Sequence, residues 1–216
     1  MSAASAEKKP DPQRRAFWLK TLHQWHWISS ALCLVALLIF AATGITLNHA
    51  ADVEASPVVS KKGGELPASL LSVLARAADQ PDVEDAPLPR AVSDWLAQNM
   101  DIEAARRAGE WSDGEVYVAL PRPGGDAWLS IDTASGVVEY EKTDRGWISY
   151  FNDLHKGRNT GPAWSWFLDI FAVACFVFAL TGLFLLQLHG GSRPATWPVV
   201  ALGVLLPLLL ALLFIH

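Results

Sequence analysis

The sequence predicts a membrane α-helical protein, with three transmembrane helices and a small α+β domain inserted between helices 1 and 2. Three apolar runs carry the first part of that fold class. Residues 28–47, 163–188 and about 197–215 are uncharged apart from Asp169. At about 1.5 Å per residue each is long enough to cross, or nearly cross, a hydrocarbon core of roughly 30 Å. The second part rests on the segment between the first two runs, where polar residues return and the apolar period changes from helix-like to strand-like. A composition of 51% hydrophobic residues with 10 tryptophans fits spans plus one modest soluble domain.

In chain order the reading is a tail over 1–21, a first transmembrane helix over 22–49, the α+β domain over 50–160, a second transmembrane helix over 161–189, a link over 190–196 and a third transmembrane helix over 197–216. Orientation follows from the short flanks, because Lys and Arg are retained in the cytoplasm while long domains translocate largely regardless of charge. The tail carries Lys8, Lys9, Arg14, Arg15 and Lys20, and the link carries Arg193. Both are therefore expected in the cytoplasm, which puts the inserted domain, and the terminal His216, in the periplasm of a bacterial inner membrane. Lys156 and Arg158, just before the second span, run against this rule. A cleaved signal peptide competes at the amino terminus, with "NHAADVEAS" offering small residues, but a 20-residue apolar run is too long for an ordinary signal core.

Residues 1–15 are polar and contain proline, so they are expected to lack regular structure. The inserted domain begins with "ADVEASPVVSKKGGELP", where Pro and Gly punctuation predicts a loop. Helical spacing of Leu70, Leu71, Leu74 and Ala78, and then of Val92, Trp95 and Leu96, predicts two short helices over 68–78 and 89–100. "GEVYVALP", "DAWLSID" and "GVVEYEK" read as strands joined by the turns "RPGG" and "DTASG", a small antiparallel meander. This domain has a net charge of −8 and the rest of the chain +3. An acidic outer surface argues against a nucleic-acid partner and suits a solvated face. The two cysteines, Cys33 and Cys175, fall inside spans, where a small apolar residue is the ordinary explanation.

Within the membrane the chain repeats itself. "FAATGITL" (40–47) and "FALTGLFL" (178–185) share Phe, Ala, Thr, Gly and Leu at matching offsets, on helices that run in opposite directions. That pattern is an inverted repeat, which serves either close helix packing or a cofactor. The histidines favour the cofactor, since all six lie at span boundaries: His23 and His26 at the entry of the first span, His49 at its exit, His155 before the second, His189 at its exit, and His216 at the end of the third. His26 and His49 are separated by about 35 Å of helix, so each needs a partner at its own depth. Antiparallel topology offers His189 to His26, or to His23 one turn earlier, and His155 to His49. Paired neutral imidazoles on facing helices are a common way to hold a haem. Lys156 and Arg158 would then pair with its propionates. Trp25, Trp27, Trp164 and Trp166 read as an interfacial belt. Asp169, a carboxylate within a span, has three open roles: accepting a bond from a histidine, shuttling protons, or capping a polar cluster.

The segments "LHQWHWISSALCLVALLIFAATGITLNHA" and "LHKGRNTGPAWSWFLDIFAVACFVFALTGLFLLQLH", followed by "TWP", resemble the PepSY-associated transmembrane family. "GGDAWLSIDTASGVVEYEKTDRGWISYFNDLHKG" resembles the β part of a PepSY-type domain. The resemblance spans nearly residues 18–200. It implies an inner-membrane protein with one or two haems b, relaying electrons outward to periplasmic ferric iron or a ferric siderophore in support of iron uptake. It also implies His26, His49, His155 and His189 as haem iron ligands, with His23 as an alternate to His26. Reduction would release iron because ferrous iron prefers softer donors than the hard oxygens of a chelate. No dinucleotide-binding motif is present, so the electron donor would be a quinol, another protein or a small reductant. Larger relatives have more spans, and a homodimer is one way to complete the site. Two other readings keep the same fold: a non-enzymatic membrane-anchored PepSY module that binds a periplasmic protease or transporter, and a haem or metal delivery protein.

Overall fold

The computed structural model describes residues 11–52, 56–80, 84–190 and 193–215. Lys8, Lys9 and His216 lie outside the described residues. In chain order the elements are α1 (Pro12–Asn48), β1 (Val58–Glu65), α2 (Ala68–Ala78), α3 (Arg90–Met100), β2 (Glu110–Ser112), β3 (Glu115–Ala119), β4 (Gly125–Asp132), β5 (Val137–Asp144), α4 (Gly146–Lys156), α5 (Pro162–His189) and α6 (Thr196–Phe214). The chain forms two compact units, one of Met1–Ile39 with Trp166–His216 and one of Phe40–Ser165. Helices α1 and α5 contribute to both.

The first unit holds most of the three helices that are long and apolar enough to cross a membrane, α1, α5 and α6. Helix α6 buries no residue, as suits a helix whose solvent is lipid. Helix α1 starts earlier than the sequence suggested, which corrects the expectation of no regular structure at residues 12–15; residues 1–10 lie outside the described residues. Asp11 is the reason: its carboxylate accepts from the Gln13 amide at 3.0 Å, and Pro12 at the first helical position has φ suited to a helix and no amide to leave unpaired.

The second unit is built on a five-stranded antiparallel sheet of order β1-β5-β4-β3-β2. Along β4, Ala127, Leu129 and Ile131 are buried while Asp126, Trp128 and Ser130 are not, the period of two expected for a sheet with one covered face. That face, with Val116, Val118 and Val138 of the neighbouring strands, meets Leu74 of α2 and Val92 and Leu96 of α3 to close one core. Leu129 is fully buried at its centre. Leu129→Ala is therefore expected to cost about 2–5 kcal/mol, read as a lower denaturant midpoint of the detergent-solubilised chain.

Two further expectations are corrected. Residues 58–65, read as a loop, form the edge strand β1, paired along its length from Val58↔Asp144 to Glu65↔Val137. An edge strand tolerates glycine better than a central one, and Gly64 leaves room for the Met100 thioether, whose sulfur lies 3.0 Å from where a Cβ would stand. Residues 146–156, read with the β part of the domain, form the helix α4. Gly157, at φ 67°, ends it in the left-handed conformation that glycine adopts without strain.

The turns follow their residues. Asp132 accepts from the amides of Ala134 and Ser135 and from the Ser135 hydroxyl, and Gly136 takes φ 76°. Hydrogen bonds from Ser135 and then Ala134 hold the Asp132 carboxyl below its ordinary value. A depressed carboxyl stabilises the fold above the unfolded pKa of 3.8 and loses that contribution as pH falls through the lower folded value. Asp132→Asn is accordingly expected to weaken the acid-side dependence of unfolding, measured as the denaturant midpoint against pH below 5, a bound set by ordinary carboxyl titration at about 4.

Candidate functional site

The site is best built from its oxygens. In the first unit, His26 of α1 lies against α5. Its ring stacks on Phe178 with centroids 4.7 Å apart. Its Nδ1 is 3.0 Å from the Thr181 hydroxyl and 3.2 Å from the Phe178 carbonyl. Gly182 completes the seat, a Cβ there meeting the His26 Cε1 at 3.4 Å. A carbonyl only accepts, and the single Thr181 hydroxyl proton goes to the Val177 or Phe178 carbonyl of its own helix. Nδ1 must therefore carry the proton, and Nε2 keeps the lone pair.

The second unit repeats this arrangement with other partners. His155 of α4 packs on Phe40 of α1 with ring centroids 4.8 Å apart. Its Nδ1 is 2.7 Å from the Thr43 hydroxyl, and a Cβ on Gly44 would meet its Cε1 at 3.6 Å. The Thr43 hydroxyl also has the Phe40 carbonyl within reach at 3.1 Å, and with its proton there it accepts from His155 Nδ1. The inverted repeat is thus a histidine seat used twice: Phe supports the ring, the Thr hydroxyl meets Nδ1, and Gly leaves space for Cε1.

The sheet holds α4 in place for this contact. The Asp153 carboxylate, buried, accepts from the Gly124 amide at 2.9 Å. Gly124 has φ 73°, and a Cβ there would stand 2.8 Å from the Tyr150 Cα, so the "RPGG" turn packs directly on the α4 backbone. Thr46 of α1 donates to Asn152 at 2.8 Å. Trp164 at the start of α5 donates to the Leu154 carbonyl at 2.9 Å.

The remaining histidines, like His26, meet groups that can only accept. His23 and His189 face each other edge to face, with ring centroids 5.8 Å apart. Each donates from Nδ1 to a carbonyl one helical turn back, His23 to Leu19 at 2.8 Å and His189 to Leu185 at 3.0 Å. His49 donates from Nδ1 to the Asp52 carboxylate at 3.1 Å. The structure thus brings His23 against His189 and seats His26 on Thr181. His49 and His155 share no ring contact or hydrogen bond among the described residues. Lys156 and Arg158 are exposed and form no ion pair among the described residues. Asp169 is exposed on α5, without a hydrogen bond among the described residues. No group of three or more His, Cys, Asp or Glu gathers as a metal cage among the described residues.

Residues 17–216 match the family described as "Putative PepSY_TM-like". The chain belongs to this PepSY-TM-like family. The match takes in both histidine seats and every described histidine. No curated protein and no solved structure matches. For this PepSY-TM-like chain, sequence reasoning found the repeat and the histidines but missed that Thr43 and Thr181 receive them. The shared F-x-x-T-G was the available signal. Nothing local in "FNDLHKG" marked Asn152 and Asp153 as the residues that hold α4.

Proposed function

We propose that this protein is a haem-b electron carrier of the bacterial inner membrane, with its amino terminus in the cytoplasm and its sheet domain in the periplasm. It delivers electrons outward to ferric iron, free or siderophore-bound. The observation that carries this reading is the shared engagement of the histidines' Nδ1 atoms by oxygens. Each described imidazole has its Nδ1 on an oxygen, a carbonyl or carboxylate that must accept for His23, His26, His49 and His189 and the Thr43 hydroxyl for His155, which leaves Nε2 as the nitrogen a metal would take.

The donor set fits haem better than a bare ion. A bare transition metal commonly takes three or four protein ligands, whereas iron in a macrocycle asks for one or two. Histidines in ones and twos, without a cage among the described residues, suit the second case. His26 and His189 would hold iron at one level, with His23 the alternate to His26, and His155 and His49 would hold it at the other. Lys156 and Arg158 stand exposed for propionates. Haem, when bound, supplies one-electron chemistry. The chain's own residues hold each Nδ1 on an oxygen and part-bury His26 and His155, while His23, His49 and His189 stay exposed. The electron donor is then a quinol, a protein partner or a small reductant, and a homodimer remains compatible with three spans.

The test is the absorption spectrum of the detergent-purified protein, oxidised and dithionite-reduced, followed by reduction of a ferric chelate. Sharp reduced bands of six-coordinate b-type haem and chelate turnover are expected. A colourless protein from haem-sufficient cells would overturn the reading and favour the anchored binding module. Haem without chelate turnover would favour delivery. Thr43→Val and Thr181→Val each remove one hydroxyl partner of an Nδ1. Loss of such a supporting bond is expected to weaken haem retention about 10-fold or more, measured as transfer to apomyoglobin.

A further inference from the structure

Helix α4 has an aromatic face that neither the sheet nor α1 covers. Trp147 is 75% exposed, Ile148 45% and Phe151 43%. The three aromatics Trp147, Tyr150 and Phe151 form one cluster with ring centroids 5.7–6.3 Å apart. The other sides of the helix are engaged: Asp153 and the Tyr150 backbone meet Gly124 of the sheet, and Asn152 and His155 meet Thr46 and Thr43 of α1.

Those contacts on α1 set the depth of α4. Phe40, Thr43, Gly44 and Thr46 belong to the uncharged run of residues 28–47. His155, packed on the first three, therefore lies beside the last turns of a membrane span. The same end of α4 is tied through the Leu154 carbonyl to Trp164, in the first turn of the next span. A helix fastened at this depth to spans on either side has its open face at the level of the lipid headgroups. Aromatic side chains with an amphipathic helix are what such an interface favours.

We propose that α4 is an in-plane interfacial helix whose Trp147, Ile148 and Phe151 insert into the headgroup–acyl boundary of the bilayer that α1 spans. The occupant of this face is lipid. One consequence is that the sheet domain is clamped to the membrane, with His155 on the clamping helix. This holds whether or not the histidines bind haem.

The test uses the full chain in lipid nanodiscs, in a Cys33→Ala, Cys175→Ala background. Trp147→Cys and Phe151→Cys, each labelled with an environment-sensitive fluorophore, are compared with Ser72→Cys on the exposed side of α2. Blue-shifted emission at Trp147→Cys and Phe151→Cys, lost in the presence of shallow bromolipids and unaffected at Ser72→Cys, is the expected result. Red, unquenched emission at both α4 positions would overturn the proposal. So would blue-shifted emission that bromolipids leave intact while the same cysteines cross-link two copies, because a second copy would then cover the face. Should labelling unfold the domain, Trp147→Phe serves instead. The bromolipid-sensitive part of the intrinsic tryptophan emission falls in that variant if Trp147 sits in lipid and is unchanged if it does not.

Discussion

The His26→Ala, His155→Ala double variant is expected to leave the membrane without the sharp reduced bands of six-coordinate b-type haem. Both side chains are part-buried and each occupies one Phe-Thr-Gly seat. Removing them takes one Nε2 donor from each level at once, whereas removing either alone leaves the other level intact. The single variants are thus expected to keep part of the signal, with five-coordinate character at the altered level. The geometry adds a control. His23 faces His189 at 5.8 Å between centroids, so if His23 is the partner of His189, the inner signal survives His26→Ala and fails in His23→Ala. An unaltered spectrum in the double variant, with a normal elution profile, would remove both seated histidines from the ligand set.

Gly44→Leu and Gly182→Leu are expected to reproduce that loss without touching a histidine. A Cβ at either position would stand 3.6 Å from the His155 Cε1 or 3.4 Å from the His26 Cε1, which is ordinary contact. Gly44→Ala and Gly182→Ala should therefore retain the spectrum. Leucine adds three further carbons into the space the imidazole occupies, and such overpacking costs about 1–3 kcal/mol, enough to unseat a ring held only through its Nδ1. Haem content and the reduced spectrum of the four variants give the comparison. Equal loss in the Ala and Leu variants would instead point to helix packing as the use of the small residue.

The fold was legible wherever hydrophobic pattern alone decides it. The spans of α5 and α6 and the helices α2 and α3 came within about a residue or two of their ends, the usual scatter of helix boundaries. The alternation of Ala127, Leu129 and Ile131 marked β4. Helix α4 was not legible because its residues serve three surroundings: Asp153 faces the sheet, Asn152 and His155 face α1, and Trp147 and Phe151 face neither. Its Trp147, Ile148, Phe151 and Leu154 do have helical spacing, but they follow closely on β5 and their aromatic and β-branched side chains resemble those of a strand. Strand β1 was hidden by Gly63 and Gly64, which its edge position and the nearby Met100 thioether accommodate.

The candidate site divides along the same line. Charge-free runs and boundary histidines are properties of consecutive residues, so the chain alone established that this is a membrane protein with imidazoles at the ends of its spans, and that F-x-x-T-G occurs twice. Which oxygen each Nδ1 meets depends on the rotation and register of segments more than a hundred residues apart, as for His26 with Thr181 and Thr43 with His155. Only tertiary packing sets those, because a helix buries one face and a residue's neighbours across that face come from a different part of the chain.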